Sequence, residues 1–136
     1  MGEAGNVKAL RVALIVIGVI FVIGVYPLTI LWPAGWIWHA GGHSDYLQMI
    51  LGIYLTLGVF LILAARNPFE NLRLIWFTVW SSAIHAVIMA AQAWSNPEQH
   101  GHLLGDVPAL LLIAIVLAVL TLRAEKASIA TLRSAA

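Results

Sequence analysis

The seven Lys and Arg residues of the chain fall in three short regions, separated by long stretches that contain none. Lys8 and Arg11 lie near the start, Arg66 and Arg73 lie in the middle, and three more lie between positions 123 and 133. Two apolar stretches separate each region from the next. Four spanning helices would therefore place every Lys and Arg on one side of a membrane. Because Lys and Arg beside membrane helices are retained in the cytoplasm, we expect both termini to be cytoplasmic.

Length and composition leave little room for anything besides these helices. The chain has 136 residues, of which 62% are apolar, and its mean hydropathy is +0.95. A spanning helix needs about 20 apolar residues. We therefore predict an all-α, four-helix membrane bundle that forms a single transmembrane domain over residues 1–136. The spans are predicted at about residues 10–31, 45–65, 71–94 and 106–122.

Composition also excludes several classes of site. The chain contains no Cys, which excludes disulfides, thiolate metal ligands and thiol nucleophiles. No dense basic face is present, so nucleic acid is not an expected partner. The expected partners are the lipid bilayer and either further copies of the chain or a larger membrane complex. Gly18 and Gly24 in the first span are predicted to let another helix approach closely.

The third span carries a stripe of polar and polarisable side chains. Its members are spaced four, three, four and three residues apart, which places them on one helix face: Thr78, Ser82, His85, Met89 and Gln92. His85 is the ionisable group deepest in the predicted bilayer. Such a group either bonds a neighbouring helix as a neutral imidazole or serves a ligand, cofactor or proton. The sequence leaves both interpretations open.

The tight turn at residues 66–70 makes spans two and three antiparallel neighbours, and we expect their polar faces to meet. An outward-opening cavity between them is predicted, with five ligand-binding residues: His85, Met89, Gln92, Tyr46 and Met49. The fourth span is almost purely aliphatic and is expected to face lipid or to act as a scaffold. A haem iron would usually need a second axial ligand besides His85, and only Met49 or Met89 lies within a span, so haem is not favoured.

A second group of candidate residues lies on the two outer loops. It consists of His39, His43, His100, His102 and Asp106, and we expect the two loops to approach each other. Imidazole and carboxylate ligands suit zinc or copper(II), although the spacing matches no known zinc motif. The alternative is that the histidines are interfacial residues and that Asp106 stabilises the start of a helix.

Four segments of the chain carry a resemblance to a known family: WPAGWIWHAGG at 32–42, YLQMILGIYLTLGVFLILAARNP at 46–68, LIWFTVWSSAIHAVIMA at 74–90 and HGHLLGDVPALLL at 100–112. They resemble a family of small bacterial four-helix membrane proteins catalogued as a domain of unknown function. The resemblance implies a four-helix bundle in the bacterial cytoplasmic membrane. It implies no activity, cofactor or catalytic residue.

Three classes of function stay open at this point. The first is binding of a small ligand, lipid or metal in the cavity between spans two and three. The second is an accessory or structural subunit of a larger membrane complex. The third is a small enzyme that depends on a metal or a quinone-like cofactor, for which the sequence identifies no catalytic residue.

Overall fold

The computed structural model describes residues 3–37 and 45–134, and every regular element within them is a helix. The elements are α1 (Glu3–Val19), a π-helical turn (Ile20–Gly24), α2 (Val25–Leu31), α3 (Pro33–Trp36), α4 (Asp45–Ala64), a 3₁₀ turn (Pro68–Asn71), α5 (Leu72–Ser95), a 3₁₀ segment (Pro97–Leu103) and α6 (Asp106–Ser134). Four helices are long and apolar enough to cross a membrane, and α1 with α2 forms the first of them. This confirms the predicted all-α bundle.

The helices at the two ends of the chain are longer than their apolar stretches. The first begins at Glu3 and α6 continues to Ser134, whereas the hydropathy pattern predicted spans from residue 10 and to residue 122. Hydropathy reports the apolar thickness of a span, and a helix can extend beyond it into water or between headgroups. The start of α1, the end of α6 and the 65–71 turn lie at one end of the bundle, the terminal end. Residues 32–37, the start of α4 and residues 96–105 lie at the other, the cap end.

The first spanning helix is continuous but contains a π-helical turn before Pro27. The amide N–H of Val25 donates to the carbonyl of Ile20, five residues back. Proline has no amide hydrogen and its ring crowds the carbonyl four residues earlier, so the preceding turn widens. Phe21 lies in this turn, is buried, and packs edge-on against the ring of Tyr54 in α4, with centroids 4.9 Å apart.

The helices pack in the order α4, α1, α6 and α5, and α4 and α5 contact each other only sparsely. The expectation that spans two and three pack closely is therefore wrong. α4 packs mainly on α1, and α5 packs mainly on α6. The two helices therefore diverge although a tight turn joins them. The fourth span packs on both α1 and α5, as expected of a scaffold, and its other face leaves apolar side chains such as Leu112 and Ile115 exposed. One face of α6 is buried, at a helical spacing: Leu110, Ala114, Leu117, Thr121 and Ala124.

A pair of glycines lets the first and second spanning helices approach closely. A Cβ atom built on Gly58 would lie 2.6 Å from the carbonyl oxygen of Gly18, and one built on Gly18 would lie 2.7 Å from that of Gly58. The expectation of a close approach at Gly18 is thus confirmed. Gly24 differs, because the nearest atoms to a Cβ there belong to Ile20 of its own helix.

Candidate ligand groove and cap

The divergence of α4 and α5 leaves an open groove of about 830 Å³ towards the cap end. Its apolar side chains come from both helices and from the residue that follows α3, and its polar side chains come mainly from the last two turns of α5 and the start of the 3₁₀ segment. The lining consists of Ile37, Tyr46, Leu47, Ile50, His85, Met89, Ala91, Gln92, Ser95, Asn96 and Gln99. The groove therefore combines an apolar wall with an amide-rich end.

Four of the five residues predicted to bind a ligand line this groove, and Met49 does not. Met49 is 57% exposed and lies roughly 100° around α4 from the face that carries Tyr46, Leu47 and Ile50, since successive residues of an α-helix are rotated by about 100°. Leu47 and Ile50 were missed by the sequence reasoning. Ile50 lies three residues after Leu47 and four after Tyr46, so it shares a face with each of them once Tyr46 is known to line the groove.

His85 and Met89 line three cavities at once. Besides the groove, they contact a second groove of about 590 Å³ along α5 and a partly enclosed chamber of about 100 Å³ among all four spanning helices. Met89 is buried and His85 is half-buried. The side chains of these two residues, with Leu47 and Ile50, separate the open groove from the inner chamber.

Aromatic rings connect His85 to the bundle core. The imidazole lies over Tyr54 with ring centroids 6.4 Å apart and planes tilted by 38°. Tyr54 in turn makes the edge-on contact with Phe21 described above. These contacts place the imidazole beside Tyr54 at the wall of the groove. The prediction that His85 and Met89 face the protein agrees with this placement.

The inner chamber has polar groups on an otherwise apolar wall. The polar residues of its lining are Thr29, Trp36, Tyr54, His85 and Asp106. The indole N–H of Trp36 is buried and meets no acceptor among the described residues. A volume of about 100 Å³ is enough for roughly three water molecules at about 30 Å³ each, and buried waters occupy sites that offer polar partners.

At the cap end, His102 and Asp106 form a buried pair. His102 is 1% exposed; its Nδ1 lies 2.9 Å from Asp106 Oδ2 and its Nε2 lies 3.2 Å from the carbonyl oxygen of Ile37. A carbonyl only accepts hydrogen bonds, so Nε2 carries a hydrogen. One further proton then lies between Nδ1 and the carboxyl oxygen, and the pair as a whole is neutral. The pair ties the start of α6 to the chain that follows α3.

Glycines complete the cap by direct backbone packing. A Cβ atom on Gly101 would collide with the carbonyl of Ala34, and one on Gly105 would collide with the carbonyl of Gly35. The 3₁₀ segment therefore lies directly on α3. For the described residues this confirms the expectation that the two loops approach each other.

The structure places the described candidate metal ligands in different surroundings. His100 is exposed, whereas both ring nitrogens of His102 already make hydrogen bonds. His39 and His43 lie outside the described residues. Within residues 3–37 and 45–134, no three His, Asp or Glu side chains gather in a metal-binding arrangement. The metal site stays a prediction.

The structure has four apolar helices that are long enough to cross a membrane, and glycines allow close packing between them and at the cap end. These features define a multi-pass integral membrane protein. The chain belongs to the family of unknown function DUF6632, whose model matches residues 4–134. No curated protein and no solved structure matches the chain.

Proposed function

We propose that the protein binds a membrane-soluble ligand in the groove between α4 and α5. The observation that carries the proposal is an opening of about 830 Å³ between two spanning helices, within the range of about 300–1,000 Å³ typical of small-molecule sites. Its apolar wall suits a hydrocarbon chain, and the amide-rich end at the cap suits a polar head. His85 and Met89 stand where the groove, the second groove and the chamber meet.

The first test identifies what the protein retains. Purified protein in mild detergent is analysed by native mass spectrometry, followed by extraction and identification of the bound molecules. We expect a ligand with an apolar chain that survives purification in the wild type and is depleted in a His85→Leu variant that remains folded. A matched control is Met49→Leu, because Met49 lies on the same helix as the groove wall but is 57% exposed and does not line the groove.

The outcomes separate a binding role from a structural one. If His85 serves only packing, His85→Leu shifts the melting temperature but keeps the ligand. If it serves binding, the ligand is lost while the helical circular dichroism signal is unchanged. Wild-type protein that retains no ligand and takes up none from a lipid extract would refute the proposal.

A role as a subunit of a larger membrane complex is the alternative. The second groove along α5 favours it, because its lining exposes a mostly apolar helix face: Phe77, Trp80, Ser81, Ile84, His85, Ile88, Met89 and Gln92. Small and aromatic side chains on such a face can receive a helix of another chain or of a second copy. Co-purification of a stoichiometric partner, lost on Trp80→Ala with ligand retention unchanged, would support this function instead.

A metal-dependent function is proposed only at the cap. His39, His43 and His100 offer imidazole nitrogens and no sulfur, which favours zinc or copper(II) over copper(I). Elemental analysis of untagged protein purified without chelators tests it. A stoichiometric metal that is lost in His100→Ala would support the site, and absence of metal together with no binding on titration would remove it.

We also propose a bacterial cytoplasmic membrane location with both termini in the cytoplasm. All Lys and Arg residues belong to the terminal end, and basic residues beside membrane helices stay in the cytoplasm. An alkaline phosphatase fused to the C-terminus should be inactive, and one inserted after Pro97 should be active. The reverse pattern would refute the orientation.

A further inference from the structure

We infer that the ligand of the groove carries an uncharged polar head, such as a hydroxyl, carbonyl or amide, and not a phosphate or an amine. This rests on the proposed function, since it specifies the chemistry of the molecule bound in the same groove. The inference comes from the polar groups that line the groove and from the distribution of charge along the whole chain.

The polar lining consists of imidazole, hydroxyl and amide groups: Tyr46, His85, Gln92, Ser95, Asn96 and Gln99. Ser95, Asn96 and Gln99 already interact with the protein itself. The Ser95 hydroxyl donates to the carbonyl of Ala91 at 2.9 Å, and the Asn96 carbonyl oxygen accepts from the amide of Glu98 at 3.1 Å. The Gln92 amide, the His85 imidazole and the Asn96 amide belong to the same lining and supply polar groups to it. Amides both donate and accept, which matches hydroxyl and carbonyl heads.

The charge pattern disfavours an anionic head. No Lys or Arg occurs between Arg11 and Arg66 or between Arg73 and Arg123, so the described cap half of the bundle has none. The charged side chains next to the rim are the exposed carboxylates of Asp45 and Glu98. A phosphate moved from water into this groove would lose hydration, gain no Lys or Arg partner and face these carboxylates.

The same lining disfavours a cationic head. No carboxylate among the described residues contributes to the groove wall, and the carboxylates of Asp45 and Glu98 are exposed to solvent, where ion pairs contribute little. An amine moved from water into the groove would lose hydration and gain no carboxylate partner there. An uncharged head avoids each of these costs and uses the amide hydrogen bonds of Gln92 and Asn96.

The experiment compares two lipids that differ only in the phosphate. Detergent-solubilised protein is titrated with dioleoylglycerol and with dioleoylphosphatidic acid, and bound lipid is counted by native mass spectrometry. The third probe is an alkylamine whose alkyl chain has as many carbon atoms as an oleoyl chain of the two lipids. We expect the wild type to bind dioleoylglycerol at least tenfold more tightly than either charged probe.

A charge introduced at the groove should reverse this preference. Gln92→Lys places an ammonium beside His85, and we expect phosphatidic acid to become the tighter ligand by at least tenfold. Met49→Lys adds the same charge on α4 outside the groove and should leave the preference unchanged. Circular dichroism and size-exclusion profiles establish that both variants are folded before they are compared.

The outcomes distinguish this inference from the function on which it rests. If the wild type binds phosphatidic acid or the amine as tightly as dioleoylglycerol, the uncharged head is refuted while the groove remains a binding site. If none of the three probes binds at any concentration below micelle saturation, and Gln92→Lys gains no phosphatidic acid binding, the groove proposal itself fails. Equal responses of Gln92→Lys and Met49→Lys would show that the effect is not local to the groove.

Discussion

Replacing Gly58 with alanine tests the contact that holds α4 against the first spanning helix. The new Cβ atom would lie 2.6 Å from the Gly18 carbonyl oxygen and 2.9 Å from side-chain atoms of both Phe21 and Val22. Ordinary contacts of a Cβ atom begin at 3.4 Å, so the two helices must separate by about 0.8 Å at this level in a tightly packed interior. Backbone atoms cannot move aside as the end of a flexible side chain would, so the whole helix has to shift.

The magnitude follows from two opposing effects. Overpacking of a well-packed interior costs about 1–3 kcal/mol, and separation of the helices also weakens the edge-on contact between Phe21 and Tyr54, worth about 0.5–1.5 kcal/mol. Alanine in place of glycine favours the helix by about 1 kcal/mol. Gly52→Ala is the matched control, because it lies on the same helix and a Cβ there meets nothing within 4 Å.

The assay is reversible unfolding in mixed micelles, followed by far-ultraviolet circular dichroism. Gly52→Ala should raise the free energy of unfolding by up to about 1 kcal/mol. Gly58→Ala should fall below that control by about 1–4.5 kcal/mol, the cost of overpacking together with the weakened aromatic contact. Equal stability of the two variants would refute the close contact between Gly18 and Gly58.

Three further changes test the cap and the core, each read as a free energy of unfolding in the same assay. Asp106→Ala should lower the free energy of unfolding by about 1–3 kcal/mol, because it removes the partner of the buried His102 nitrogen. Asp106→Asn should lower it less, because the asparagine amide can donate to Nδ1 of His102. Equal losses in the two variants would contradict the assigned hydrogen bonds. Gly105→Ala should also cost about 1–3 kcal/mol, since its Cβ would collide with Gly35, and it should speed amide hydrogen exchange in α3. Thr121→Val should be neutral or stabilising, because the hydroxyl of Thr121 is buried without a partner among the described residues; a loss above about 1 kcal/mol would indicate a hydrogen bond to that hydroxyl.

The candidate site was only partly predictable from the chain. The stripe on α5 identified Met89 and Gln92 because helical spacing fixes which residues share a face. The same spacing could not show that α4 presents Leu47 and Ile50 rather than Met49, since all three residues are apolar and their composition does not distinguish them. Asn96 and Gln99 join the groove because the chain turns back at the end of α5, which helical spacing does not describe.

The sequence by itself determined the number of spanning helices and their approximate positions, because the thickness of the bilayer requires apolar stretches of a minimum length. Only the tertiary structure decided which helices are neighbours. Aliphatic faces such as that of α6 are chemically equivalent before they pack, and the close approach of Gly18 to Gly58 depends on the shape of both helices together. His102 is a second example. A histidine suits a metal site or a buried hydrogen bond equally by its residue type. Asp106 and the carbonyl of Ile37 come within hydrogen-bond distance of His102 only when the 3₁₀ segment packs on α3.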